Sequence, residues 1–409
     1  MELKITDQYT YFLQSYIVNT GKLTKYILKL LNDKRFKLKI FEKNKDLELY
    51  TSFLPKIREF LFSTFDLDDI EKKANFDKLP IETQAAILAK YPSVTFEYDL
   101  EQEIQGKTTD ENSIFFKIKK LGIVIFNTGI CFLYIKTNLE NESNFSNLLN
   151  FNNKFRDIKQ DENSFKNIKI QEGSFEDIEE IQDFIKSIIG SNIDTLKLNI
   201  DTERFYTYSY ACIDKDFWNK EKPFEEIKEE FFKYVNILPE NCNKNNLIYE
   251  GTKIISNSKY SKIGVSKLGV NVLSSDYDIE NKTIFSKKFE TEYLYIYILS
   301  LYLKIALKQL NYKFKQGKEL SKVREEFIEF TKNLFIQEVN SNDIESLYFT
   351  YLKEVLEIEQ LYDTVKNKYN ILYNELKIEK SEKMSGIIIV VLVVTLILNI
   401  INFILIKGK

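Results

Sequence analysis

Thr395, Asn399 and Asn402 stand at i, i+4 and i+7 within Ile387–Ile406, a run of twenty residues without a charge. On a helix this spacing puts all three on one face of an otherwise Ile/Val/Leu surface. Carboxamides in such a setting need partners. The spacing leaves three chemistries open: hydrogen bonds between packed helices, the lining of a narrow polar path, and hydration near an interface.

Elsewhere the chemistry is limited by what is missing. The chain has no histidine, which excludes Ser-His-Asp and Cys-His catalysis, His-ligated zinc and HD-type phosphohydrolase sites. A divalent cation such as Mg²⁺ held by carboxylates stays open, because hard cations take oxygen ligands. Gly106-Lys107-Thr108 looks like the end of a phosphate-binding loop. The first glycine of that motif would fall at Glu101, however, and Glu101 and Glu103 would repel phosphate. Asp66, Asp68 and Asp69 lack the glycine and closing glutamate of a calcium loop and read as a helix cap. Cys131, Cys212 and Cys242 have no metal-ligand spacing and fit a reducing compartment. No pair of nucleophile and base emerges, so the chain reads as a non-enzyme. With Lys+Arg 58 against Asp+Glu 61 and a net charge of -3, it carries no general attraction to nucleic acid.

The elements that must position these residues divide by punctuation. All five prolines lie at or before Pro239, and after Gly269 the only glycines are Gly317, Gly386 and Gly408. The final third is thus free of helix breakers. Residues 1 to about 110 open with helical periodicity, then read as mixed helix and strand. In "SIFFKIKKLGIVIFNTGICFLYIKTNL" two β-branched and aromatic runs flank Asn127-Thr128-Gly129, a hairpin pattern. "SNFSNLLNFNNKFRDI" and "FEEIKEEFFKYVNIL" read as helices, and "TERFYTYSYACID" alternates as a strand. Four regions follow: residues 1–289, a mixed α/β cytoplasmic domain; 290–342, a helical hairpin; 343–383, a stalk; 384–409, a tail.

The last helix is expected to begin near Asp343 and run on unbroken. Tyr348, Val355, Tyr362, Tyr369 and Leu376 recur every seven residues, and Tyr351, Ile358, Val365 and Leu372 form the adjacent seam. The seam suits a bundle of several copies, or packing on the helices at 290–335. As a helix the twenty-residue run would span ~30 Å, the hydrocarbon thickness of a bilayer; a core helix rarely stays apolar on every side. Lys377, Lys380 and Lys383 before it favour a cytoplasmic side. The expectation is a single-pass tail anchor in the cytoplasmic membrane, with the N-terminal domain in the cytoplasm.

The segments "YTSFLPKIREFLFSTF", "TQAAILAKYPSVTFEYD", "IVIFNTGICFLYIKTNLENESNFSNLLNFNNKFRDI" and "EYLYIYILSLYLKIALKQL" resemble bacterial CorA-like proteins. The resemblance spreads over most of residues 40–406. It implies an α+β cytoplasmic domain, a long stalk helix continuous with a transmembrane helix, pentameric assembly and magnesium transport. Relatives in prokaryotic antiviral systems add a small nucleotide as the gating ligand. Where the family's two-span channels carry Gly-Met-Asn, this chain reads Asn402-Phe403-Ile404. The function expected is therefore that of an oligomeric ion-conducting or membrane-perturbing protein. The alternative is a non-conducting tethered sensor or scaffold.

Overall fold

"ITDQYTYFLQSYI" near the N-terminus, expected to be helical, is a strand in the computed structural model: β1 (Ile5–Ile17). Its aromatic and β-branched residues favour extended backbone. Its weak polar alternation has a tertiary cause. Both faces of β1 are covered, so almost every residue is buried. The structure describes residues 2–100, 104–108, 113–140, 144–157, 168–171, 179–189, 204–242, 251–317, 319–335, 338–340 and 342–407. Between 375 and 383 and beyond 395 it describes backbone alone.

The remaining strands are β2 (Phe36–Lys39), β3 (Ser93–Tyr98), β4 (Ile104–Thr108), β5 (Phe115–Phe126), β6 (Ile130–Leu139), β7 (Ile168–Gln171), β8 (Glu179–Glu180), β9 (Tyr206–Ile213), β10 (Lys253–Ser258), β11 (Ser261–Ser266) and β12 (Gly269–Ser275). Among the described residues they form one 12-stranded sheet in the order β10-β11-β12-β9-β1-β6-β5-β4-β7-β8, with β3 also pairing β5 and β2 pairing β3. β1 sits at its middle, antiparallel to β6 and β9. β12 runs parallel to β9.

The helices are α1 (Leu23–Asn32), α2 (Leu47–Ser52), α3 (Pro55–Leu61), α4 (Ile70–Asp77), α5 (Ile81–Leu88), α6 (Phe145–Arg156), α7 (Ile181–Ile189), α8 (Lys228–Val235), α9 (Ser286–Lys288), α10 (Leu294–Gln316), α11 (Leu320–Asn333), α12 (Asp343–Val355) and α13 (Ile358–Lys407). The chain divides into two units. Unit 1 holds Met1–Ala306 and Leu334–Ile358; unit 2 holds Leu307–Asn333 and Glu359–Lys409.

In unit 1 one sheet face packs on α6 and α8. Phe12 stacks on Phe155 at 4.1 Å, and Thr10 and Tyr234 both hydrogen-bond Ser209. The other face meets the helical run 279–306, described below. The hairpin read from residues 113–139 is β5–β6, closed by Gly129 at φ +83°. Gly129 N–H donates to Phe126 O and its carbonyl accepts from Val18 N–H, each at 2.8 Å. A Cβ here would lie 2.1 Å from Val18 O. Gly129→Ala is therefore expected to cost at least about 1–2 kcal/mol from the left-handed backbone alone. Urea unfolding checks this, and an unchanged midpoint would contradict the turn geometry.

Two expectations for the last third are corrected. The helix from Asp343 starts there, capped by the Asn342 side chain, but it is interrupted at Leu356–Glu357, where Glu357 takes φ 59°. And among the described residues no helix is long and apolar enough to cross a membrane. Within Ile387–Ile406 side chains are described only to Thr395. The transmembrane helix expected in residues 384–409, the single-pass cytoplasmic-membrane location and the channel built on it do not stand. Neither does a CorA-like architecture of stalk and span, since the structure is a large mixed sheet with helices.

Candidate functional site

The sequence alternates tyrosines in two strands, Tyr9 and Tyr11 in β1 and Tyr208 and Tyr210 in β9. Sheet pairing sets Tyr9 opposite Tyr210 and Tyr11 opposite Tyr208. All four are buried. Above them the chain stays helical from residue 279 to 316, but two stretches, Asn281–Phe285 and Phe289–Tyr293, adopt the wide π form on either side of α9. π turns are rare and concentrate at functional sites. A buried tyrosyl hydroxyl needs an acceptor, and here the acceptors are carbonyls of this stretch. Tyr210 donates to Asn281 O at 2.6 Å, Tyr9 to Ser286 O at 2.6 Å and Tyr208 to Phe289 O at 2.5 Å. The Tyr208 ring also lies flat on Phe289, 4.1 Å between centroids. Burial pushes these phenols well above their ordinary range, so they stay neutral donors.

Charged side chains enter this layer in pairs. Tyr11 and Lys136 each donate to Glu290 Oε1 at 2.7 Å, and the Lys136 ammonium lies 4.6 Å from the Tyr9 ring centroid. Burial alone would raise the Glu290 carboxyl. The charge and hydrogen bond of Lys136, with the Tyr11 donor, outweigh it and hold the carboxyl below its usual value.

The second set is less balanced. Glu292, at the end of the second π stretch, is 4% exposed, and Glu345, in the first turn of α12, is 1% exposed. One lysine serves both: Lys288 Nζ lies 2.5 Å from Glu345 Oε1 and 3.7 Å from Glu292 Oε2. Burial, reinforced by the Glu345 charge, pushes Glu292 up to about 7; Lys288 and a Ser52 hydrogen bond pull only partly the other way, and Glu48 adds a further raising charge. Burial works against the Lys288 charge, but its two carboxylates more than compensate and raise its pKa. Chemically, the set can take up one proton near neutrality as a coupled unit.

The remaining residues singled out by sequence have structural positions. Asp69 caps α4, accepting from the N–H groups of Glu71 and Lys72. Gly106 and Lys107 lie on β4 opposite Phe116 and Phe115. Cys131 and Cys212 are buried thiols and Cys242 is half-buried. Among the described residues no group of three His, Cys, Asp or Glu could hold a metal ion.

The heptad residues pack within their own units. In unit 1 Tyr348 meets Tyr293 at 5.1 Å, the Lys253 ammonium lies over Tyr351 at 5.3 Å, and Val355 and Ile358 are buried. In unit 2 Tyr362 and Tyr369 pack on Phe327 of α11, at 5.7 and 5.2 Å. Val365 is buried and Leu372 half-buried; the Leu376 side chain lies outside the described residues. Thr395 hydrogen-bonds back to Val391 O at 2.8 Å. The Asn399 and Asn402 side chains also lie outside the described residues.

Sequence reasoning missed the tyrosine layer and the Glu292–Lys288–Glu345 set. The available signals were the alternating tyrosines of β1 and β9, and Phe285, Phe289, Tyr293 and Tyr297 recurring every four residues. No family model, curated protein or solved structure matches this chain.

Proposed function

We propose that this protein is a non-enzymatic, self-associating scaffold, in which unit 2 supplies the contact surface through α13. The observation that carries the reading is the run Ile387–Val394. Its eight consecutive apolar side chains are each between 50% and 64% exposed. Isolated exposed hydrophobics are ordinary, but a contiguous patch marks a surface that is covered in use. The same stretch on another copy of the chain has the matching apolar length, and symmetric packing covers both patches at once. Eight successive residues point to every side of a helix, and a two-stranded coil covers only one seam. The reading therefore commits to three or more copies. The tyrosine layer and its ion pairs, with no nucleophile–base pair among them, support a structural role for unit 1.

Light scattering of the full-length chain tests this. The expected mass is at least three times that of one chain. Ile388→Glu with Val391→Glu should give single chains with unchanged far-ultraviolet circular dichroism. A wild-type protein that runs as single chains at micromolar concentration would refute the scaffold reading.

A further inference from the structure

The two ends of α12 are held to the rest of unit 1 in different ways. At its last turn Glu354 pairs with Lys253 of β10 at 2.6 Å, and Glu357, just beyond the helix, pairs with Lys267 at 2.5 Å. All four side chains are exposed, and exposed pairs contribute little to stability. At the first turn the hold is buried. Glu345 reaches Lys288 Nζ at 2.5 Å, and Glu292 shares that ammonium at 3.7 Å. Tyr348, one turn on, packs on the Tyr293 ring and donates to Tyr293 O at 3.5 Å.

The charge count of this buried contact is unbalanced. With both acids ionised it holds two negative charges and one positive, and among the described residues Lys288 is the one cation within 4 Å of either. The other packed elements do not restore the balance. From α2, Ser52 hydrogen-bonds Glu292, but Glu48 adds negative charge, itself paired with Lys287 at 3.3 Å. On the π stretch, the Tyr293 phenol is kept neutral by burial and by the two carboxylates. Glu290 is taken up by Tyr11 and Lys136. Of the two acids, Glu345 is better placed to stay charged. It is nearer the ammonium, and it sits in the first turn of α12, where the helix dipole favours an anion. The proton that restores balance therefore belongs chiefly to Glu292.

We propose that the Glu292–Lys288–Glu345 set is a proton-operated latch for α12. With the proton in place, the first turn of α12 stays seated on the second π stretch. Without it, the two buried carboxylates repel each other, and α12 comes away locally while the sheet stays folded. A free helix of 13 residues is marginal in water, so opening exposes its amides to exchange. In the open state Glu292 is an ordinary solvated carboxyl, and opening releases its proton. Opening therefore becomes easier as pH rises from about 4.5 to 7 and levels off above that.

Hydrogen exchange of the full-length chain, read by mass spectrometry with the intrinsic rates divided out, tests the latch. Protection of α12 should be lower than that of β1 and should fall at least about tenfold between roughly pH 5.5 and 8. It should hardly change in low urea, because a local opening exposes little surface. Glu292→Gln keeps the shape of the protonated acid and should abolish the fall, leaving α12 at the higher protection throughout. Glu345→Gln removes the repelling partner and should reduce the fall, so the test does not depend on one variant folding. If α12 exchanged with the same protection and urea dependence as β1, it would open only with the whole of unit 1, and the latch would be overturned. A fall with pH that survives both variants would overturn it equally.

Discussion

Replacing Lys288 by methionine is expected to destabilise unit 1 by about 3–5 kcal/mol at neutral pH, the range for removing one partner from a buried ion pair. The methionine keeps most of the length and apolar stem of the lysine. What it removes is the only ammonium within 4 Å of both Glu292 and Glu345 among the described residues. Two carboxylates that are almost completely buried would then face each other with only the Ser52 hydrogen bond to Glu292 as compensation. The Lys288 side chain is itself 32% exposed, and water reaching it places the expected loss toward the lower end. A repair variant distinguishes charge from packing. Lys288→Met combined with Glu292→Gln and Glu345→Gln should recover most of the loss, because neutral groups of the same shape remove the unpaired charges. Urea unfolding measures all of these. A loss below about 1 kcal/mol in the single variant would mean that the pair is not shielded from water in this way.

The second large effect is in pH dependence, read as the difference between the wild type and Glu292→Gln. The Glu292 carboxyl is raised from an ordinary value of 4.5 to about 7, by burial first and by the Glu345 charge second. The folded state therefore holds this proton more tightly than the unfolded chain does. The associated stability is fully present below about 4.5 and is lost as pH rises through 7. A shift of this size corresponds to roughly 3 kcal/mol, at ~1.4 kcal/mol for each unit. Glutamine mimics the protonated acid at every pH. The two proteins should be about equally stable near pH 4.5, and the variant the more stable above pH 7. Glu290 and Asp33 have lowered values and act in the opposite direction, but they do so in both proteins and cancel in the difference. A difference that stays constant from pH 4.5 to 8 would rule out the buried, coupled acid.

How much of this was legible beforehand depended on the range of the interaction. The β5–β6 hairpin was readable because its turn chemistry, Asn127 to Gly129, lies between the strands it joins. Helix α6, strand β9 and the start of α12 were readable for the same reason, and so was Asp69 as a cap: a cap acts on backbone two or three residues away. β1 was not readable. Its alternation is concealed because helices cover both faces of the sheet, and no local feature announces that. The break at Leu356–Glu357 was equally hidden, since "EVLEIEQ" contains neither glycine nor proline and the heptad spacing continues across it.

The candidate site was less legible than the fold. Glu292 and Glu345 are 53 positions apart, and neither looks unusual among 61 acidic residues. They matter only because α12 returns to the π stretch and buries both around one lysine.

The sequence by itself determined the absence of histidine chemistry, the local hairpin and helix patterns, and the presence of a long apolar run near the C-terminus. These are matters of composition and of spacing within one or two turns. Tertiary structure alone decided that the N-terminal segment is the middle strand, since its partners on β6 and β9 lie more than a hundred residues away. It alone decided which tyrosines meet the π stretch and which carboxylates share Lys288. Pairing and burial are set by the competition of all segments for the same sheet and core, and no single segment carries that information.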